Sequence, residues 1–204
     1  MHHAGYFIFC SVMILCYVIS RTNAYQKNKS EKERQAFWNR EREANSTRKK
    51  DISSLDYINV DIESFPVKNL EATDSSLHDE LKELSAKKII NLSQYTNTDL
   101  KLMYGVANLN LLTQYDENYT RLIVLLNKIG KALYDYPEDA KAFLEYSVSI
   151  GSDIRQTYEM LANIYMDKKD EKAFDRLLES AEKLSSLSKA TIITNLHNIK
   201  SQTK

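Results

Sequence analysis

Four histidines and two cysteines are the residues of this chain best suited to metal binding or nucleophilic chemistry, and their spacing serves neither. His2 and His3 stand at the N-terminus, while His78 and His197 are isolated, with no His-x-x-x-His or His-Glu-x-x-His pair to close around a metal. A packing or surface role is expected for both. Cys10 and Cys16 lie inside the apolar run YFIFCSVMILCYVIS, residues 6–20, so the rest of the chain has no disulfide and no thiolate nucleophile. That usage is compatible with a reducing compartment. The four glycines, Gly5, Gly105, Gly130 and Gly151, are scattered and build neither a phosphate-cradling loop nor a Gly-x-Ser-x-Gly elbow. Thirteen tyrosines suit half-buried positions on amphipathic helices, with the ring packed and the hydroxyl in water. The expectation is a protein that is not an enzyme, with no cofactor and no metal.

Something else must then explain the chain, and the elements it can build are the place to look. Twenty-eight basic residues balance 28 acidic ones, which gives no general case for nucleic-acid binding. Hydrophobic content of 43%, with four Gly and two Pro, favours helices over a turn-rich β fold. The expected fold is all-α: an N-terminal transmembrane helix, a charged stem, then a helical bundle.

The apolar run decides the compartment. Ala4 to Ser20 is a stretch of 17 uncharged residues, roughly 26 Å as a helix, near the lower limit for spanning a bilayer. A cleaved signal would carry a basic start, absent from MHHAG, although Thr22-Asn23-Ala24 offers small residues for a cut. Ten Lys/Arg against four Asp/Glu follow between Arg21 and Lys50. By the positive-inside rule, this flank favours a single-pass anchor in the cell membrane, residues 1–24, with the remainder in the cytoplasm. Release after Ala24 as a secreted or surface protein is the alternative. Four Asn-x-Ser/Thr sequons (Asn28, Asn45, Asn91 and Asn118) arise easily in an Asn- and Ser-rich chain.

Residues 25–50 read as a charged juxtamembrane helix, either resting Lys and Arg on anionic headgroups beside Phe37 and Trp38 or standing as a solvated stalk. Residues 51–74 read as a linker whose few apolar residues dock on the domain. Residues 75–204 read as the helical domain. Leu77, Leu81, Leu84, Ile89 and Leu92 keep helical spacing behind a cap at Ser75 or Ser76. A second run starts at Thr98-Asp99, with Gly105 ending a helix or allowing close packing, and a third helix runs from Glu117 to Tyr136. The final segment, with Leu187, Ile192, Ile193, Leu196 and Ile199, would cap the array.

Within this domain a repeat emerges. Leu126, Ile129, Gly130 and Leu133 align with Tyr158, Leu161, Ala162 and Tyr165 at an offset of 32. DAKAF at 139–143 aligns with DEKAF at 170–174 at an offset of 31. Ala142, Tyr146 and Ser149 answer Ala173, Leu177 and Ser180. Over about residues 122–184 this resembles two tetratricopeptide-like helix pairs, with a shorter period, no closing Pro and no Trp. The chain as a whole is also similar to a group of membrane-anchored bacterial proteins of clostridial type without an assigned activity, sharing the FWNREREANSTRKK stem and the TDLKLMYGVANLNLLTQYDENY centre.

The tetratricopeptide resemblance implies a protein- or peptide-binding face on the first helices of the pairs. It falls on Val124, Asn127, Lys131 and Tyr134 in the first copy and on Gln156, Glu159, Asn163 and Met166 in the second. Asn127 and Lys131 would meet a peptide backbone or carboxylate. Two repeats are too few for a multi-repeat carboxylate clamp. The expected function is a membrane-anchored, cytoplasm-facing adaptor or scaffold, the alternatives being the released protein or an enzyme of unrecognised class.

Overall fold

Where the apolar run ends, the helix does not. The computed structural model describes residues 2–202, with the side chains of residues 2–12, 14 and 16 outside the described set. Helix α1 spans His2–Ser46 without a break, about 68 Å at 1.5 Å per residue. No Gly or Pro interrupts residues 6–46, and i,i+3 and i,i+4 pairs such as Arg34–Glu31 and Lys29–Glu33 support the charged part. Among the described residues no helix is long and apolar enough to cross a membrane. Most of the expected anchor's apolar run, residues 6–12, 14 and 16, lies outside the described side chains.

Nine α-helices and two short 3-10 turns make up the described residues, with no strand, so the fold is all-α. They form two compact units. The first comprises the chain up to Lys50 together with Asn97–Ala107. Here α4 (Asn97–Tyr104) packs on the C-terminal part of α1, burying Ala44 completely. Glu41 accepts a hydrogen bond from the Thr98 hydroxyl and pairs with Lys101 at 3.2 Å, while Arg40 meets Asp99 at 2.5 Å. Gly105 closes this unit at φ +87°. A Cβ there would lie 2.4 Å from the Arg48 carbonyl oxygen, so both the left-handed backbone and the close approach require glycine.

The second unit comprises Asp51–Thr96 and the chain from Asn108 onward. Its first stretch, expected as a linker, supplies core. Val60, Phe65 and Leu70 are buried, and Leu70 belongs to a short helix α2 (Val67–Thr73). Phe65 stacks on Phe143 with centroids 4.7 Å apart and meets Tyr146 edge-on, while the Tyr146 hydroxyl donates to the Asn59 carbonyl at 3.0 Å. The backbone beside Tyr57 is tied to the same unit: the Ile58 N–H donates to the Ile89 carbonyl at 2.9 Å.

Helix α3 (Ser75–Ser85) is capped by Asp74, whose carboxylate accepts from the Ser76 N–H at 3.0 Å, rather than by a serine. It stops before Ile89 and Leu92, which are buried from an irregular segment instead of from the helix face. The helix expected from Glu117 begins earlier: α5 runs Leu109–Ala132, because no breaker separates Leu109 from Glu117. Tyr136 and Pro137 end the turn that follows, with Pro137 at the first position of α6 (Pro137–Ser149), where its missing N–H costs nothing. Then come α7 (Arg155–Asp167), α8 (Glu171–Glu182) and α9 (Lys189–Gln202). Each helix from α5 to α9 packs on the next, α5 also meets α7, and α9 lies on α7 and α8. Ile192 and Leu196 make that last contact; Leu187 lies outside α9 and is fully exposed.

Candidate functional site

The eight aligned first-helix residues of the repeat, four between Leu126 and Leu133 and four between Tyr158 and Tyr165, are all buried. Gly130 explains how α5 and α6 come together. A Cβ on it would lie 2.4 Å from Cδ2 of Leu144, a fully buried side chain. In the second pair Ala162 is fully buried, and the Tyr165 hydroxyl reaches across to donate to Glu145 at 2.6 Å. Burial chiefly, with the Glu145 carboxylate adding to it, pushes the Tyr165 hydroxyl well above the ordinary tyrosine range.

The second helices keep a different register from the expected one. Ala142 and Tyr146 are half-buried and Ser149 is exposed, whereas Phe143, Leu144 and Ser147 face the core. Shifted by 30 residues rather than 31, these match Ala173, Phe174 and Leu177, which are buried. The first pair's connection carries extra residues around Tyr134–Pro137, so first and second helices do not share one offset.

The six expected partner-binding residues fall into separate roles. Asn127 and Gln156 meet each other: the Asn127 amide donates to Gln156 Oε1 at 3.2 Å and its oxygen accepts from the Thr157 hydroxyl at 3.2 Å. This amide ties α5 to α7, which leaves it only part of its bonding capacity. Glu159 turns toward α9, accepting from the Asn195 amide, with Arg155 Nε 3.5 Å away. Lys131 is exposed on α5.

Tyr134 and Asn163 come together in a groove of about 440 Å³, with Met166 beside them. Its floor is made by Gly130, Pro137 and Ala140, and its α7 wall adds Met160, Ile164 and Asp167. Tyr134 is 82% exposed, a large ring left in water at the rim. Lys168, next to Asp167 in the chain, forms an ion pair with Glu138 of α6. Met160 and Ile164 were not singled out by the sequence, although with Asn163 and Asp167 they keep the i, i+3, i+4, i+7 spacing of one helix face.

The isolated histidines have packing and surface places. His78 is 4% exposed, with Nδ1 3.0 Å from Glu71, and His197 is exposed on α9. Comparison with protein-family models, with curated proteins and with solved structures gives no match for this chain.

Proposed function

We propose that this chain is a membrane-anchored adaptor whose cytoplasm-facing helical unit holds a partner segment in the groove between α5, α6 and α7. The observation that carries the reading is the composition of that groove: an exposed tyrosine, two methionines and an isoleucine beside glycine, proline and alanine, with Asn163 and Asp167 as polar points. Flexible thioethers and a rigid ring suit an apolar side chain arriving on a peptide, and one amide suits its backbone. The tetratricopeptide-like pairing supports the same reading, since α5 and α7 are the first helices of the two pairs.

The anchor rests on the sequence: 17 uncharged residues ahead of a strongly basic flank. Helix α1 supports retention. Thr22-Asn23-Ala24, where a cut would fall, is helical, and the Thr22 hydroxyl donates to the Ile19 carbonyl at 2.9 Å.

Photo-crosslinking from position 163 in cells, followed by identification of the captured peptide, tests the groove. One partner segment is expected, captured at least tenfold less by Tyr134→Ala and Met166→Ala chains. Capture that ignores both substitutions would remove the groove from the proposal. Protease added to intact cells tests the placement: digestion of residues 51–204, or their appearance in the medium, would instead support release after Ala24.

A further inference from the structure

Of the residues that line the groove between α5, α6 and α7, Asp167 alone carries a charge, and that charge is unanswered. It stands exposed at the end of α7, with a carboxylate that makes no hydrogen bond and no ion pair among the described residues. The cations nearest to it in the chain do not pair with it. Lys168 is drawn to Glu138 of α6, while Lys169 and, on α5, Lys131 are exposed outside the lining.

The backbone adds charge of the same sign. Gly130 lies in the last turn of α5, and Met166 and Asp167 lie in the last turn of α7, so the groove meets the negative ends of two helices. One positive end opposes them, that of α6 at Pro137, and it carries Glu138 and Asp139 in its own first turn. The largely exposed ring of Tyr134 offers a π face on which a cation can rest. Spacing along α7 completes the arrangement. Met160 and Ile164 precede Asp167 by one to two turns, roughly 4–11 Å of rise. Side chains two apart on an extended peptide are separated by roughly 7 Å. A peptide lying along α7 can therefore seat an apolar side chain at Met160 and Ile164, pass its backbone by Asn163, and bring the residue two places away to Asp167.

We propose that the partner segment carries a Lys or Arg two residues from its apolar anchor, with the cation received by the Asp167 carboxylate and the Tyr134 ring. This specificity presupposes that the groove is the partner site. An acidic residue at the same place would meet a like charge and two negative helix ends, and a neutral one would leave the carboxylate unmatched.

The test uses the full chain in detergent and fluorescein-labelled Gly/Ser nonapeptides with Leu at the centre and Lys, Gln or Glu two residues to either side, read by fluorescence anisotropy at low salt. The Lys peptide should bind about two- to threefold tighter than the Gln peptide, the size of one exposed charge pair, and the Glu peptide should bind more weakly still. Asp167→Lys should reverse that order, so that the Glu peptide binds tightest, and should leave thermal unfolding unchanged because Asp167 is exposed. Tyr134→Ala should weaken all three. If no peptide binds, or binding ignores Tyr134→Ala, the groove is not the partner site and the cation preference falls with it. If binding needs Tyr134 but the three peptides bind alike, or Asp167→Lys keeps the parent's order, the groove stands and the cation preference alone is overturned.

Discussion

Replacing Gly130 by alanine isolates the contact on which the α5–α6 pair depends. Two effects of opposite sign meet at this position. In a helix interior, alanine gains about 1 kcal/mol over glycine through reduced chain entropy. Against that, the new methyl would sit 2.4, 2.8 and 3.1 Å from Cδ2, Cγ and Cδ1 of Leu144. Leu144 is fully buried between Phe143 and the α5 core, so its side chain has no open space to turn into. Overpacking of this kind costs about 1–3 kcal/mol. With three sub-contact distances the upper half of that range applies, and Gly130→Ala should destabilise by about 1–2 kcal/mol net. Leu144→Ala alone opens a cavity and costs about 3 kcal/mol. Together the two changes relieve one another, since the methyl introduced at position 130 enters space that Leu144 has vacated. The double variant should therefore be about 1–2 kcal/mol more stable than the sum of the single effects. Urea unfolding followed by circular dichroism measures all four corners of the cycle. A Gly130→Ala protein more stable than its parent, or single effects that add to within about 0.5 kcal/mol, would refute the close approach.

Other positions offer independent checks. Gly105→Ala combines a left-handed backbone with a clash against the Arg48 carbonyl, and should cost at least about 2 kcal/mol; protease nicking near residues 48–50 and 97–104 should rise, and unchanged nicking would count against it. Lys169 holds φ 56° after α7, so Lys169→Gly should stabilise by about 1 kcal/mol in urea. Tyr158 is nearly fully buried and donates to the Ser152 carbonyl at 2.9 Å, with its hydroxyl pushed up to about 12 by burial and then by Asp153. Because the folded value lies above the ordinary 10, its contribution is intact below pH 10 and is lost between pH 10 and 12, about 3 kcal/mol in all. Tyr158→Phe should flatten that alkaline decline, and an unchanged slope would contradict it. Capture of the partner segment should fall less than about threefold between 0.05 and 0.5 M salt, because an apolar side chain seated among Met160, Ile164 and Met166 is not screened by salt; a loss tenfold or greater would shift the interaction to Lys131 and its charged neighbours.

What the sequence made legible was periodicity, and what it hid was choice among equivalent periodic readings. The eight aligned residues, four from Leu126 to Leu133 and four from Tyr158 to Tyr165, recur as large and small at fixed spacing, and all eight are buried. The second-helix register was not visible, since DAKAF and DEKAF align by letter while the buried faces align one residue away. Ile89 and Leu92 kept helical spacing after α3 had ended, because two apolar residues in an extended segment satisfy the same count. Asp74 competed with Ser75 and Ser76 for the cap, and all three are good caps. Phe65 and Leu70 looked like the sparse apolar content of a linker, because nothing local announces a stacking partner at Phe143. Among the expected site residues, Tyr134 and Asn163 reached the groove and Asn127 did not. An exposed-face asparagine is indistinguishable in sequence from one that bridges two helices.

Gly130 links the structural and functional sides of the second unit. Its missing side chain lets Leu144 seat against α5, and the same backbone forms part of the groove floor beneath Tyr134 and Asn163. A larger residue there would push α6 outward, moving Pro137 and Ala140, the other floor residues, together with it. Stability and partner capture should therefore fall together for changes at Gly130. They should separate at Asn163 on the α7 wall, which is exposed, so removing its side chain takes away contact surface without opening the core, whereas Met166 also packs on the core. The asymmetry follows from geometry. One wall of the groove belongs to the helix pair that makes the fold, and on the other the exposed Asn163 is a side chain that the core does not use.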